Sequence, residues 1–408
     1  MSGINRHIIW QFFTRFGAAL FNLFIGILIS RYLGTEGRGT HGLFIASIAL
    51  IHLCTNWLGG ASLVYLASRH SVRQLTKISF WWSSLFAGLC WLILYFIGVY
   101  FIDIMPKGYD LIILVSALIF AWWSNLANIL LGKEATQAYN TLQVIHPLIT
   151  SFALIIGFIY VDVAFSSFII AYIIAQVFNL FLAIYYLKPE FQSAEKVHDP
   201  GLLRIFIRHG LFIQLANLTQ FFNYRILYFL IEHYFGKSVL GIYANALQLA
   251  ESVWMITRSI STVQFAKIAN SDNLRFNQKL TQQYGGISLV ISLIGVVFLV
   301  ILPDSFFVWL FGPEFAGIHH YLVLLAQAIL SMSLGNIYAH YFAGLGRNRV
   351  NFGGSLLNLV VILLSFFLLM DVLQMDAAPV ASSIAFSVTL IYHYLLFRRE
   401  TKKRQTQL

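Results

Sequence analysis

The feature that most constrains this chain is a series of apolar runs, each about 20 residues long, that recurs from one end to the other. Such a run is the length that an α-helix needs to cross the hydrocarbon core of a bilayer. Only 10% of the residues are charged and 59% are hydrophobic, whereas a soluble domain has about a quarter of its residues charged. The sequence therefore predicts an all-α membrane protein that crosses the bilayer many times.

The basic residues indicate how the chain is oriented. We predict twelve spans, at residues 7–30, 40–66, 79–102, 110–131, 141–163, 165–187, 208–231, 239–264, 281–302, 317–342, 351–370 and 378–397. Of the 26 lysines and arginines, 19 fall in the termini and the connections on their side, 4 in the opposite connections and 3 inside spans. Because basic residues are retained on the cytoplasmic side, both termini are predicted to be cytoplasmic. The net charge of +10 is thus a topology signal and does not indicate a nucleic-acid partner.

A polar segment near the middle divides the chain into two halves. We predict an N-terminal six-helix bundle at 1–187, a cytoplasmic linker at 188–207, and a C-terminal six-helix bundle at 208–408 that ends in a basic cytoplasmic tail. Six spans in each half preserve orientation, so the halves form a parallel repeat whose pseudo-two-fold axis runs along the membrane normal. In transporters built this way, the substrate binds at the interface of the two repeats.

Paired glycines after the first span of each half support this repeat. Gly34 and Gly39 are matched by Gly236 and Gly241 at a constant offset of 202 residues. A weaker similarity joins the Leu-Gly-Lys tripeptide at 131–133 to the Leu-Gly-Arg tripeptide at 345–347. A single glycine of this kind indicates only a tight turn between helices, but the repeated spacing favours duplication. We therefore assign the four paired glycines to turns or gates.

Polar residues inside the spans are candidates for a substrate site, because charge within a bilayer is costly and usually marks function. They form stripes on the helices of spans 1, 7 and 8. The candidate substrate-binding residues are Arg15, Asn22, Asn217, Tyr224, Arg225, Gln248 and Arg258. Glu251 is the only deeply placed carboxylate, which makes it the candidate for coupling to a monovalent cation or proton. The sequence predicts no metal site and no other cofactor.

Structural roles for the same residues stay open. Arg15 lies about two turns from the cytoplasmic end of its span and could extend to the lipid headgroups. Arg225 could form a purely structural pair with Glu251 or Glu232, and Glu251 could instead pair with Arg258. Polar pairs such as His52 with Asn56 and Asn125 with Asn128 are typical of hydrogen bonds between helices.

Enzymatic chemistry is not indicated by any motif. The sequence contains no nucleophile, base and acid in a recognisable set and no phosphate-binding loop of the nucleotide-hydrolysing type. The extracytoplasmic connections are all short, which leaves no region to hold the sugar acceptor of a membrane glycosyltransferase. These features predict a transporter and not an enzyme.

Four short motifs carry a resemblance to a known family. They are RYLGTEGRG at 31–39, LGIYA at 240–244, FGPEF at 311–315 and GLGRN at 344–348. In this order, with twelve spans and a mid-chain loop, they resemble the oligosaccharide-lipid flippases of the multidrug/oligosaccharidyl-lipid/polysaccharide exporter superfamily. The resemblance covers essentially the whole chain. It implies two six-helix bundles in a V around a central cationic cavity, to which Arg15, Arg225, Arg258 and Glu251 would contribute.

The function that the resemblance implies is translocation of an undecaprenyl-diphosphate-linked oligosaccharide, such as an O-antigen unit of lipopolysaccharide. The chain would act by alternating access in a bacterial inner membrane, among membrane lipids, with a glycan polymerase or glycosyltransferases as partners. Arginine suits this substrate, because its planar fork donates paired hydrogen bonds to a diphosphate.

Two other functions stay open: a cation-coupled exporter of small amphipathic compounds, and a membrane scaffold for glycan assembly. Multidrug members of the superfamily usually carry acidic residues in their early spans. Spans 1 to 6 of this chain contain no carboxylate away from their ends, which weakens the exporter hypothesis.

Overall fold

A computed structural model describes residues 2–58, 60–68, 70–192 and 202–405, and within these ranges the chain forms helices and turns without a β-strand. In this part of the chain the α-helices are α1 (Ser2–Thr55), α2 (Gly60–Ala67), α3 (Val72–Tyr100), α4 (Asp110–Gly132), α5 (Thr136–Tyr160), α6 (Phe165–Gln192), α7 (Leu202–Phe235), α8 (Lys237–Ala269), α9 (Leu274–Ile301), α10 (Asp304–Phe311), α11 (Ile318–Gly344), α12 (Asn348–Leu373) and α13 (Ala377–Gln405). The all-α class predicted from the sequence is therefore confirmed.

The length and apolar character of these helices make the chain a multi-pass membrane protein. Nine segments of the described chain are long and apolar enough to cross a membrane. Two of the nine are compound: Phe16–Thr55 bends at Gly34, and Asn348–Thr401 contains α12 and α13 joined by the short 3-10 helix Gln374–Asp376. The count of twelve spans stays a prediction.

The chain divides into two compact units, Met1–Leu218 and Thr219–Leu408. In the first unit, α4 is the central helix and packs against α1, α2, α3, α5 and α6. Its buried side chains, among them Trp123 and Leu126, meet Leu63 and Leu75 from α2 and α3. The apolar interior of this unit is thus built around α4.

In the second unit the central helix is α11, which packs against α8, α9, α12 and α13. Tyr341 and Phe342 near its C-terminal end are almost fully buried, and the ring of Tyr341 meets that of Phe397 on α13 at 4.9 Å. This contact, with Ile268 and Leu280, forms a local apolar core. Helix α11 thus has the same central place in its unit that α4 has in the first.

The paired glycines of the sequence repeat adopt one unusual backbone conformation. Gly34 has φ 67° and ψ −167°, and Gly236 has φ 84° and ψ 172°. This region of backbone space is open essentially to glycine alone. Gly34 separates the two arms of α1, and Gly236 precedes α8. The matched positions in the two units therefore make the same turn.

A second repeated turn follows the central helix of each unit. Glu134 N–H donates to the carbonyl of Leu131 and Ala135 N–H to that of Leu130. At an offset of 212 residues, Gly346 N–H donates to Ala343 and Arg347 N–H to Phe342. Both are Schellman motifs. The pairing of Gly132 with Gly346 in the sequence was therefore wrong by two residues.

The predicted linker at 188–207 is only partly covered by the structure. Helix α6 continues to Gln192 and α7 begins at Leu202, while residues 193–201 lie outside the described ranges. The boundary between the two compact units falls inside α7, after Leu218. The predicted linker and domain limits stay predictions.

Candidate functional site

A bidentate ion pair joins α7 and α8 in the second unit. Arg225 Nη1 lies 2.7 Å from Glu251 Oε1, and Arg225 Nη2 lies 3.3 Å from Glu251 Oε2. The guanidinium also lies 5.0 Å from the ring centre of Tyr228. Each side chain of the pair keeps 27% of its surface exposed, so the pair is not sealed inside the unit. Of the two carboxylates predicted as possible partners of Arg225, Glu251 is the one whose ion pair with Arg225 the structure shows.

Arg258 has a different environment. Its guanidinium lies 5.2 Å from the ring centre of Trp254, one turn earlier on α8, and the residue is exposed. Within the part of the chain that the structure describes, no carboxylate forms an ion pair with Arg258, so the alternative pair with Glu251 is not made. Arg258 thus keeps its charge and its N–H donors available to an anion.

Tyr224 connects these charged groups. Its ring lies 5.2 Å from that of Trp254, and its hydroxyl accepts a hydrogen bond of 3.0 Å from Gln220. The same hydroxyl is within electrostatic range of Arg225, Arg258 and Glu251. One cluster therefore contains two cations, one carboxylate and three aromatic rings, those of Tyr224, Tyr228 and Trp254.

A pocket opens beside this cluster, within the second unit. Four helices, α7, α8, α11 and α13, contribute its walls. The lining residues are Asn223, Tyr224, Leu227, Tyr243, Leu247, Ala250, Glu251, Trp254, Leu325, Ala328, Ile329, Met332, Ser382 and Phe386. Most of them are apolar, so the few polar groups determine what the pocket can bind by hydrogen bonding.

Two of these polar groups keep unused hydrogen-bonding capacity. Asn223 donates from Nδ2 to the carbonyl of Ser355 at 3.1 Å, whereas its Oδ1 and the Nε1 of Trp254 are buried without a hydrogen-bond partner in the described structure. An unmet buried polar group costs about 1–3 kcal/mol. The hydroxyls of Tyr243 and Ser382 lie 3.4 Å apart on another wall. The pocket can therefore offer donors and acceptors to hydroxyl groups beside a cationic site.

Of the predicted site residues, Tyr224 and Glu251 line this pocket, and Arg225 and Arg258 lie in the adjoining cluster. The remaining ones are not placed at the pocket by the described structure. The side chain of Arg15 lies outside the described side chains. Asn22 is exposed and donates to the carbonyl of Ala18 at 2.9 Å, and Asn217 is exposed and donates to Gln214 at 3.4 Å. Gln248 is half-buried on α8. Their roles in binding stay predictions.

The remaining turn glycines are buried. Gly39 and Gly241 follow the bends at Gly34 and Gly236 by five residues and lie inside helices α1 and α8. They therefore face the packed interior of their units, and the bends themselves are made by the earlier glycines. The gating role of all four stays a prediction.

Polar side chains also occupy the interior of the first unit. His52 Nε2 lies 3.0 Å from Asn56 Nδ2, within one segment of chain, and 3.5 Å from the hydroxyl of Ser124 on α4. The ring of His52 also meets Phe120 at 4.2 Å. Asn125 is buried, and its Oδ1 has no partner in the described structure. The contact of His52 with Asn56 is therefore local, and the contact between helices that was predicted for this pair is made by His52 with Ser124.

Arg38 is a buried cation that the sequence placed in an extracytoplasmic turn. Only 4% of the residue is exposed, and Nη1 lies 2.8 Å from His41 Nδ1. The second arm of α1 begins directly after the bend at Gly34, which places Arg38 on a helix that packs in the unit. His41 in turn packs edge-on against Phe168 at 4.6 Å. The spacing of three residues between Arg38 and His41 is a signal that could have indicated the pair.

Several pocket residues had no role in the sequence prediction. Trp254 lies four residues before Arg258, and this spacing on a helix places an aromatic ring beside a cation. That signal was present in the sequence. Ser382 and Phe386 come from α13, and the ring of Phe386 stacks on Tyr224 at 6.1 Å. No local pattern could have placed them there, because they reach the pocket through tertiary packing.

Comparisons with known proteins identify the relatives of this chain. A family model described as polysaccharide biosynthesis protein matches residues 10–319. The capsular polysaccharide biosynthesis protein CapF of Staphylococcus aureus is 27% identical over 173 residues, which are 41% of this chain and 43% of CapF. The chain thus matches less than half the length of this relative.

Solved structures share the fold at low sequence identity. The lipid II flippase MurJ, in an inward closed conformation, has a TM-score of 0.73 and 14% identity over 96% of this chain and 87% of that protein. An inward-facing multidrug resistance transporter of the MATE family in the MOP superfamily has a TM-score of 0.70 and 16% identity over 95% and 96% of the two chains. The resemblance inferred from the turn motifs is thereby confirmed for the family and the fold.

Proposed function

We propose that this chain, which belongs to the polysaccharide biosynthesis protein family, is a flippase for a lipid-linked glycan. The substrate we propose is an undecaprenyl-diphosphate-linked oligosaccharide, such as an O-antigen repeat unit. The chain would move it from the cytoplasmic to the outer leaflet of a bacterial inner membrane, by exposing its polar site alternately to the two sides. Both termini would be cytoplasmic, and glycan polymerases or glycosyltransferases would be its partners.

The barrier that such a protein must lower is set by the polar part of the substrate. A diphosphate and many sugar hydroxyls cannot enter hydrocarbon without losing their hydration, and each unpaired polar group is costly there. A protein site that supplies charge and hydrogen bonds removes this cost. The prenyl chain needs no such site because lipid already solvates it.

The observation that carries the proposal is the charged cluster of the second unit with the polar pocket beside it. Arg258 is exposed beside Trp254 with no ion-pair partner in the described chain, which suits the diphosphate. Asn223 and Trp254, which line the pocket, retain an acceptor and a donor for hydroxyl groups. Charge inside membrane-spanning helices is retained only where it is used or paired. The family supports a glycan pathway, and Arg258 supports an anionic substrate.

Substitution of Arg258 tests the proposal. We expect Arg258→Ala to reduce translocation about tenfold or more, because a hydrogen bond to a charged group contributes about 1.5–3 kcal/mol. Arg258→Lys keeps the charge but loses the fork, so its activity should be intermediate. Translocation is measured with a fluorescent prenyl-diphosphate oligosaccharide in proteoliposomes, by its accessibility to a membrane-impermeant quencher. Arg275→Ala is the matched control, because Arg275 is an exposed arginine of α9 outside the pocket.

The alternatives predict different outcomes. A scaffold for glycan assembly requires no translocation by the purified protein, and an exporter of small amphipathic compounds requires transport of such compounds without the glycan lipid. Full activity of Arg258→Ala, at normal abundance in the liposomes, would show that the diphosphate is recognised elsewhere. Equal losses in Arg258→Ala and Arg275→Ala would indicate a general effect of surface charge.

A further inference from the structure

The fork of Arg225 is occupied by a carboxylate of the chain itself. Nη1 and Nη2 each donate to a different oxygen of Glu251, at 2.7 Å and 3.3 Å. The Nη1/Nη2 edge of a guanidinium makes one bidentate contact at a time, although the group has five N–H donors in all. An anion that binds Arg225 through this edge must therefore displace Glu251.

Displacement is sterically open, because both partners remain 27% exposed and Glu251 lines the pocket. Arg258, for which the described chain contains no ion-pair partner, acts electrostatically on the same Tyr224 hydroxyl as Arg225 and Glu251. Both arginines therefore belong to the cluster around Tyr224, and Arg258 adds positive charge on the side of the Arg225–Glu251 pair where Tyr224 lies.

We infer that Glu251 makes this site select phosphate over carboxylate by competing for Arg225. The inference rests on the proposed function, since it assigns a specificity role at the same pocket. A ligand carboxylate would replace one carboxylate by another and gain nothing. Glu251 also has the advantage of being tethered, which gives it a high effective concentration. The diphosphate of a lipid-linked oligosaccharide is esterified at both ends and carries about two negative charges, one on each phosphoryl group, whereas a carboxylate carries one. Its paired oxygens match the arginine fork, so it can displace Glu251 with a net gain.

The pocket also contains groups that can receive the displaced carboxylate. The hydroxyl of Tyr243 is in electrostatic range of both Glu251 and Arg225. The same hydroxyl lies 3.4 Å from the hydroxyl of Ser382 on α13. A carboxylate that leaves Arg225 would therefore stay near hydroxyl donors. This reduces the cost of stranding a charge, which is what makes breaking a buried pair unfavourable.

Direct binding measurements on the full-length protein in detergent test this role. The probes are inorganic diphosphate and glucuronate, a sugar carboxylate. We expect the wild-type protein to bind diphosphate and to exclude glucuronate. Glu251→Gln should bind diphosphate about tenfold more tightly, at the low end of the effect of close charge pairs, and should gain measurable affinity for glucuronate.

Glu400→Gln is the matched control. Glu400 forms an ion pair with Arg347 in the same unit, but neither residue lines the pocket. The substitution removes the same charge from the same type of pair, so both affinities should stay at their wild-type values. A tightening of diphosphate binding in Glu400→Gln would mean that net charge, and not competition for Arg225, controls affinity.

Two outcomes overturn the inference. One is that Glu251→Gln binds diphosphate no more tightly than the wild-type protein and still excludes glucuronate. The other is loss of diphosphate binding in folded Glu251→Gln protein, which assigns Glu251 a structural role. If Glu251→Gln does not fold, Glu251→Asp provides the test, because its shorter side chain weakens the contact with Arg225 while keeping the charge. It should tighten diphosphate binding to a smaller extent, and an unchanged affinity counts against competition. Absence of diphosphate binding by the wild-type protein contradicts the proposed function itself.

Discussion

At the scale of single residues, the two Schellman turns differ in the side chain at their left-handed position. Glu134 has φ 62° and its counterpart Gly346 has φ 73°. A residue with a Cβ atom pays about 1–2 kcal/mol in the left-handed conformation, which glycine avoids. Glu134 is exposed, so its side chain is not required for packing. At this turn the first unit therefore contains local strain that the matched turn of the second unit lacks.

This difference predicts opposite effects for reciprocal substitutions. Glu134→Gly should stabilise the protein by about 0.5–1 kcal/mol, since the relief of strain exceeds the added flexibility of glycine in the unfolded chain. Gly346→Ala should destabilise it by about 1 kcal/mol. The midpoint of thermal unfolding in detergent, followed by tryptophan fluorescence, measures both. A lower midpoint for Glu134→Gly would show that the glutamate has a stabilising contact that outweighs the strain.

At the scale of helices, close contacts at two glycines hold the central helix of each unit against a neighbour. A Cβ atom on Gly132 would lie 2.4 Å from the backbone oxygen of Val64 and 2.7 Å from the Cβ of Ala67. On Gly344 it would lie 2.7 Å from the Cγ2 and 2.9 Å from the Cβ of Ile268, with the nearest backbone oxygen, that of Phe265, at 3.4 Å. Rotation of the isoleucine relieves the first of these contacts but not the second, whereas the backbone oxygen at Gly132 is closer still and moves only with its helix.

Alanine substitutions should therefore differ in severity. We expect Gly132→Ala to destabilise the protein by about 3 kcal/mol, at the upper end of the usual cost of overpacking, and Gly344→Ala by about 2 kcal/mol. Gly286→Ala is the control, because the space around Gly286 in α9 is open, and alanine there should be neutral or stabilising by up to about 1 kcal/mol. Thermal unfolding and the yield of monodisperse protein are the measurements. Equal effects at Gly132 and Gly344 would contradict the argument.

The helices and their turns were the part most accessible from the sequence, because apolar run length and glycine spacing are local signals. The second repeat was assigned in the wrong register, since Gly132 serves close packing whereas Gly346 serves a left-handed turn, and the sequence does not distinguish these roles. The choice of Glu251 as the partner of Arg225 also needed the structure. The sequence left two other ion pairs open, Arg225 with Glu232 and Glu251 with Arg258. The packing of α7 on α8 brings Arg225 to Glu251.

At the scale of the whole molecule, the distribution of basic residues predicts the orientation in the membrane. Reporters fused after Lys196 or Arg404 should be cytoplasmic, and reporters inserted near Thr35 or Lys107 should be extracytoplasmic, because basic residues are retained on the cytoplasmic side. Paired alkaline phosphatase and fluorescent protein fusions measure this. An extracytoplasmic reporter after Lys196 would mean that one of the twelve predicted spans is miscounted.

The ion pair between α7 and α8 has a consequence for how the chain is made. Arg225 and Glu251 lie on two helices joined by the single bend at Gly236. Among the described segments, α7 is not one of those apolar enough to cross a membrane by themselves. An isolated charge costs about 2.5–3.5 kcal/mol to insert at the centre of a bilayer, and here each charge has its counter-ion in the adjacent helix. We infer that α7 and α8 enter the membrane together as a neutralised hairpin, so that biogenesis of the chain depends on this pair.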